Sequence, residues 1–138
     1  MQPILLADDD ANSAFLAARA MKEAGIAHPV ITLHDGDAVI QYLGGSGPRP
    51  LLLILDQKLP GRSGLEVLEW VRTKSSMVTL PVLVLSASTF DSDVRAAYLL
   101  GANGYLVKPA TFEALLVMAK AIKDYWLTVN RAAEPSPR

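Results

Sequence analysis

The chain has no cysteine, which removes disulfides, thiolate metal sites and cysteine nucleophiles together. It has no excess of either charge. Thirteen basic against 14 acidic residues leave a formal net charge of −1, so no broad field draws it to nucleic acid or anionic lipid. No apolar run approaches the ~20 residues of a membrane span, and residues 1–10 lack the basic lead and apolar core of a signal peptide. Nothing repeats at periods of about 20–50 residues. These absences predict a soluble cytoplasmic protein with no nucleic-acid or membrane partner. A length of 138 residues suits one domain that buries roughly two thirds of its unfolded surface.

What is present is organised around Leu51 to Gly61. Five apolar residues, Leu51 to Leu55, stop at Asp56, and a Pro60-Gly61 turn signal follows. A short, unbroken apolar run suits a strand buried on both faces of a parallel sheet. Four similar runs are predicted as strands: Ile4 to Ala7, Val30 to Leu33, Val82 to Leu85 and Gly104 to Val107. Helices are expected between and after them. The first begins near Asn12, runs through Phe15, Leu16 and Met21, and stops at Gly25. The second is capped by Asp35. The third opens on a Ser63/Glu66 capping box, the fourth starts near Asp91, and the fifth is capped by Thr111 and reaches about Thr128. Strand and helix signals alternate five times, which implies a (βα)5 flavodoxin-like, doubly wound α/β fold. Its five parallel strands take the order 2-1-3-4-5 with right-handed crossovers. Arg131 to Arg138 reads as a frayed tail; residues 1–128 form the domain, and residues 129–138 are a flexible tail with no effector domain.

The strand ends carry the chemistry. Strand one ends in Asp8 and Asp9, strand three in Asp56, strand four in Ser86 and strand five in Lys108. A parallel sheet sets all of these on one rim, beside the crevice where strands one and three diverge. Three carboxylates repel one another unless a cation joins them, and their oxygens suit Mg²⁺. With an ammonium and a hydroxyl added, the set fits transfer of a phosphoryl group to a carboxylate. Asp56 is then the nucleophile. Asp8 and Asp9 hold the metal with Asp56, the Lys58 backbone carbonyl is a further ligand, and Lys108 and Ser86 bind phosphoryl oxygens. Each residue alone has a plainer reading: Asp8, Asp9 or Asp10 as a helix cap, Asp56 as a turn residue, Ser86 as a loop hydroxyl, Lys108 as a solvated charge. Those readings fail for the set at matched strand ends. Gly44 to Gly47 is not followed by Gly-Lys-Ser/Thr, which argues against a P-loop, and His28 and His34 lack ligand spacing.

The motifs Ile4 to Asp9, Leu55-Asp56 with Leu59-Pro60-Gly61 and Gly64-Leu65, Leu85-Ser86-Ala87, and Gly104-Tyr105-Leu106-Val107-Lys108-Pro109 run in order over residues 4 to about 127. In this the sequence resembles the receiver domain of two-component response regulators, a family whose chemotaxis member has the strand order given above. The resemblance implies phosphoryl transfer from a histidine kinase to Asp56 with Mg²⁺, and no enzymatic activity beyond the domain's own phosphorylation and dephosphorylation. It also implies a hydroxyl switch at Ser86, an aromatic switch at Tyr105 that turns inward on phosphorylation, and often a cis bond before Pro109. Lys58 and Ser88 stand at the positions that flank the phosphoryl group in this family, and Lys58 is expected to reach and shield it. The stretches Ala24 to Val30 and Tyr125 to Arg131, with Asp35-Gly36, resemble single-domain bacterial regulators paired with phytochrome histidine kinases. These dimerise through the last helix, and a bacteriophytochrome is therefore the expected kinase.

On that helix Phe112, Leu115, Leu116, Ala119, Ile122 and Trp126 form one apolar face, expected to be core. Ala114, Met118, Ala121 and Tyr125 form a second stripe expected to face water, and Leu99 points off the Val94, Ala97, Leu100 face of its own helix. This outer apolar surface predicts a homodimer interface. Two other function classes remain. A phosphatase of the haloacid-dehalogenase type also uses a strand-end Asp, but needs an acid two residues on, where Lys58 stands. A degenerate receiver acting only as a scaffold would lack part of the set Asp8, Asp9, Asp56, Ser86 and Lys108, all of which are present.

Overall fold

A computed structural model describes residues 1–74 and 76–133; the part of the expected tail beyond residue 133 lies outside the described residues. The elements run β1 (Ile4–Ala7), α1 (Ala11–Glu23), β2 (Val30–Leu33), α2 (Gly36–Gly44), β3 (Leu52–Leu55), α3 (Gly64–Thr73), β4 (Val82–Ser86), α4 (Asp91–Leu99), β5 (Gly104–Val107) and α5 (Phe112–Asp124). A π-helical turn, Tyr125–Val129, ends the last helix. The five strands are parallel and ordered β2-β1-β3-β4-β5, as the sequence predicts. No described helix is long and apolar enough to cross a membrane.

Strand alternation divides the core in two. Leu5, Ala7, Leu53, Leu55, Val82 and Val84 point to the side covered by α2, α3 and α4, where they meet Val39, Leu43, Val67, Leu68, Val71 and Ala97. Ile4, Leu6, Leu52, Ile54, Leu83 and Leu85 point to the other side, against α1 and α5. That side is packed by small residues, Ala14, Ala17, Ala20 and Ala119, which let helices approach the sheet closely. The central strands β1, β3 and β4 are buried along their whole length, as continuous apolar runs require.

Caps fix where the helices start. Asp10, not Asp8 or Asp9, caps α1, its carboxylate accepting from the Asn12 and Ser13 N–H groups. Asp35 caps α2, Ser63 and Glu66 form the reciprocal capping box of α3, and Thr111 caps α5. Some expectations are corrected. Phe15 lies on the outer face of α1 and is exposed. Phe112, Leu115, Leu116 and Trp126 are only partly buried against the core, and Met118, expected on the water-facing stripe, packs against that same core. The bond before Pro109 is trans, as are all described peptide bonds.

At the opposite end of the sheet Arg72 closes the loops. It donates to the carbonyls of Gly101, Val78 and Leu80 and to Asn103 Oδ1, at 2.8–3.1 Å. The same Asn103 oxygen accepts from the Val82 N–H. One guanidinium therefore holds both the α3–β4 and α4–β5 connections. Arg72→Ala is expected to lower stability by about 2–3 kcal/mol, since two part-buried carbonyls, of Gly101 and Leu80, lose a charged donor. The midpoint of urea unfolding reads this, and an unchanged midpoint would mean that water replaces the guanidinium at no cost.

Candidate functional site

The site is made by strand register. Ala7 pairs with Leu55 across β1 and β3, so the next residues, Asp8 and Asp56, leave the sheet side by side. Backbone bonds continue past the strands: Asp56 N–H donates to Ala7 O at 2.9 Å, and Asp8 N–H to Leu33 O at 3.0 Å. Leu55 pairs with Val84 across β3 and β4, which sets Ser86 one residue above the level of Asp56. β5 brings in Lys108, whose N–H donates to Ser86 O at 2.8 Å.

Asp8 and Asp56 are only 1% and 7% exposed, whereas Asp9 is open to solvent. Carboxylate oxygens of Asp8, Asp9 and Asp56 all lie within 4.8 Å of one another. The Lys108 ammonium joins two of them, 2.9 Å from Asp56 Oδ2 and 3.2 Å from Asp8 Oδ2. Burial on its own would lower the Lys108 pKa. The hydrogen bond and charge of Asp56, and then those of Asp8, outweigh burial and hold it above the ordinary lysine value. A raised folded-state pKa contributes stability that is complete below the unfolded value, about 10.4. That contribution is lost only as pH rises through the folded value, so Lys108 keeps its charge across the physiological range.

The other carboxylate oxygens are also oriented. Asp56 Oδ1 accepts from the Lys58 N–H at 3.1 Å, and Asp8 Oδ1 from the Asp10 N–H at 3.0 Å. The Lys58 side chain itself is exposed at the rim. Three carboxylates against one ammonium leave an excess of negative charge on oxygen ligands, the donor set that a hard divalent cation fits.

Ser86 is buried, and its Oγ accepts from the Ser88 N–H at 3.2 Å. The Ser88 hydroxyl donates to Asp93 in the first turn of α4. The Tyr105 ring stands at the β4–α4 loop. Its hydroxyl lies 3.0 Å from Ser88 O and 3.1 Å from Gln57 Oε1. Gln57 is a site neighbour that sequence reasoning missed. Its one signal was an amide directly after a strand-end Asp, which carries no period or motif. His34, set aside for want of ligand spacing, has Nδ1 3.0 Å from Asp8 O. A carbonyl only accepts, so that nitrogen carries the proton.

Of the expected interface residues, Leu99 and Tyr125 are 78% and 51% exposed, and Ala114 and Ala121 are exposed. Met118, Ala121 and Tyr125, with Leu106 and Trp126, line an open apolar groove of about 320 Å³ beside the edge strand β5.

Residues 4–120 match the family model of the response regulator receiver domain. The chain is 39% identical over 137 residues to the probable methanogenesis regulatory protein FilR2 of Methanothrix harundinacea, covering 96% of this chain and 88% of that one. It is 36% identical over 129 residues to response regulator Rcp1 of Synechocystis, covering 90% and 88%. The crystal structure of the Mn²⁺-bound form of Rcp1 superposes with a TM-score of 0.87 at 33% identity, over 96% of this chain and 99% of that one. The phosphorylated cyanobacterial phytochrome response regulator RcpA superposes with a TM-score of 0.90 at 30% identity, over the same 96% and 99%.

Proposed function

The chain belongs to the response regulator receiver domain family, and from that membership we propose that its domain, residues 1–128, accepts a phosphoryl group from a histidine kinase onto Asp56. The observation that carries this reading is the Lys108 ammonium bound at once to Asp56 and Asp8. It supports this reading because it holds the buried Asp56 carboxylate in place and keeps a positive charge where phosphoryl oxygens would arrive. An Asp56 carboxylate oxygen attacks phosphorus, the phosphorus–nitrogen bond of the phosphohistidine breaks, and the imidazole nitrogen leaves with the bonding pair. Lys108 and the Ser86 hydroxyl bind the transferred oxygens. Asp8, Asp9, Asp56 and the Lys58 backbone carbonyl hold the cation. We assign it as Mg²⁺, which prefers few carboxylates plus phosphoryl oxygens and offsets their charge. The Mn²⁺-bound form of Rcp1 supports a divalent ion in such a site. The domain turns over nothing but its own phosphoryl group, and Lys58, where a dehalogenase-type phosphatase needs an acid, speaks against a phosphomonoesterase. Intact mass after incubation with Mg²⁺ and a small acyl phosphate tests the assignment: one adduct per chain is expected, and none would favour the scaffold reading.

The response leaves the domain, in the cytoplasm, through protein contacts on α4, β5 and α5, with no nucleic acid or membrane engaged. RcpA, a cyanobacterial phytochrome response regulator, favours a phytochrome-type kinase as the input. FilR2, at 39% identity, is a probable methanogenesis regulatory protein, so no single input signal is common to these relatives. The exposed Leu99, Ala114, Ala121 and Tyr125, with the groove that Met118 lines, support a homodimer through the last helix. Sedimentation reads this directly. Wild type is expected to dimerise, and the pair of changes Leu99→Glu and Tyr125→Glu to give monomer, since a charge buried without a partner disfavours association. Wild type that stays monomeric with and without donor removes the homodimer.

A further inference from the structure

Gln57 follows the acceptor residue, and the phosphoryl chemistry makes no use of its side chain. It is nonetheless only 7% exposed, and an amide stays inside only where its hydrogen bonds are met. Its side-chain partner is the Tyr105 hydroxyl, which also reaches Ser88 O. A phenol has one proton and can accept as well as donate. Both contacts are satisfied together when Tyr105 donates to Ser88 O and the Gln57 amide turns its Nε2 toward the phenol oxygen, a rotation that keeps the amide's outline. The ring then bridges the end of β3 and the β4–α4 loop. Ser88 continues the chain of contacts, through its N–H to Ser86 Oγ and through its hydroxyl to Asp93.

We propose that Gln57 is a positioning residue that pins Tyr105 against the β4–α4 loop before any phosphoryl group arrives, making the ring a fixed brace rather than a rotor. Swinging the ring out would strip a buried amide of its partner, and unmet buried polar groups are costlier than the net value of the bond itself. The consequence for phosphorylation rests on Asp56 as acceptor; the pinning is a property of the unphosphorylated chain. With the loop already ordered, a larger fraction of molecules is competent to react, and removing the brace lowers that fraction.

The test uses the full chain labelled with 3-fluorotyrosine, with the Tyr105 fluorine signal assigned by Tyr105→Phe. Wild type without donor is expected to give a Tyr105 line free of relaxation dispersion. Gln57→Leu, which keeps the bulk and removes the hydrogen bond, is expected to give an exchange-broadened line while Tyr42, Tyr98 and Tyr125 keep theirs. The fraction of molecules with the ring swung out should rise roughly fivefold in Gln57→Leu, the change that one neutral hydrogen bond makes in a two-state equilibrium, and the rate of adduct formation from an acyl phosphate should fall with the pinned fraction. Gln57→Leu should change it no further in the Tyr105→Phe background. Equal dispersion in wild type and Gln57→Leu overturns the proposal, as does a rate effect that persists undiminished without the Tyr105 hydroxyl. A chain that takes up no phosphoryl group, yet shows the sharp line in wild type and the broadened one in Gln57→Leu, overturns the acceptor reading and upholds the brace.

Discussion

Asp56→Asn is expected to abolish the phosphoryl adduct completely while leaving the fold intact. Asparagine keeps the outline of the side chain, and its carbonyl oxygen can still accept from the Lys58 N–H that now bonds Asp56 Oδ1. What it loses is charge and nucleophilicity: the amide nitrogen's lone pair is delocalised, and its two hydrogens face the Lys108 ammonium that Oδ2 now meets at 2.9 Å. Lys108 does not become unpaired, because Asp8 Oδ2 remains at 3.2 Å. Removing one of three carboxylates whose oxygens lie within 4.8 Å also relieves repulsion, so no loss of thermal stability is expected. The loss of adduct is therefore chemical rather than structural. Parallel mass and melting measurements separate the two. An adduct that persists in Asp56→Asn would transfer the acceptor role to another residue, and peptide mapping would name it. An adduct lost only together with the fold would leave the role of Asp56 undecided by that variant, and the Mg²⁺-dependence of wild type would then carry the test.

Much of this was legible before the fold because apolar runs and their terminating residues are local facts. Asp8, Asp56, Ser86 and Lys108 each end an apolar stretch, and a parallel sheet brings such ends to one rim whatever the helices do. Choosing among Asp8, Asp9 and Asp10 needed the backbone. Asp10 takes the cap of α1, which frees Asp8 to turn inward and Asp9 to stay in solvent. The partnership of Gln57 with Tyr105 was not legible, since it joins residues 48 apart through side chains with no shared period. Met118 illustrates a limit of helical spacing. An unbranched side chain on the flank of a helix bends back to the core when space is open there, as it is in the groove that Met118 lines with Ile122. Arg72 was invisible for a related reason. Three of its four acceptors are backbone carbonyls of loops, and a backbone oxygen leaves no mark in the side-chain pattern.

Gly64→Ala is expected to damage stability and phosphorylation together, although alanine is the better residue for a helix. Gly64 is the first residue of α3, and its N–H donates to Gln57 O at 3.0 Å. A Cβ added there would stand 2.1 Å from the Asp56 carbonyl oxygen, 2.8 Å from Gln57 Cα and 2.9 Å from the Asp56 carbonyl carbon. All three are backbone atoms of the segment that carries Asp56, so no side chain can simply move aside. Either α3 retreats, drawing the fully buried Val67, Leu68 and Val71 off the sheet, or the end of β3 shifts and takes Asp56 away from Lys108. Overpacking of this kind costs about 3 kcal/mol, against a helical gain of about 0.5–1 kcal/mol for replacing glycine by alanine. The cost wins. Gly44→Ala supplies the comparison, because a Cβ there meets nothing nearer than Trp70 ring atoms at 4.0 Å, and it is expected to be neutral or mildly stabilising. Urea unfolding of both variants, at unchanged m-value, reads the energetic part, and the rate of adduct formation reads the displacement of Asp56. If Gly64→Ala unfolds at the wild-type midpoint, the contact between α3 and the acceptor segment is looser than the distances require. If stability falls but the adduct forms at the wild-type rate, the strain is taken up by α3 alone and the end of β3 is the stiffer of the two.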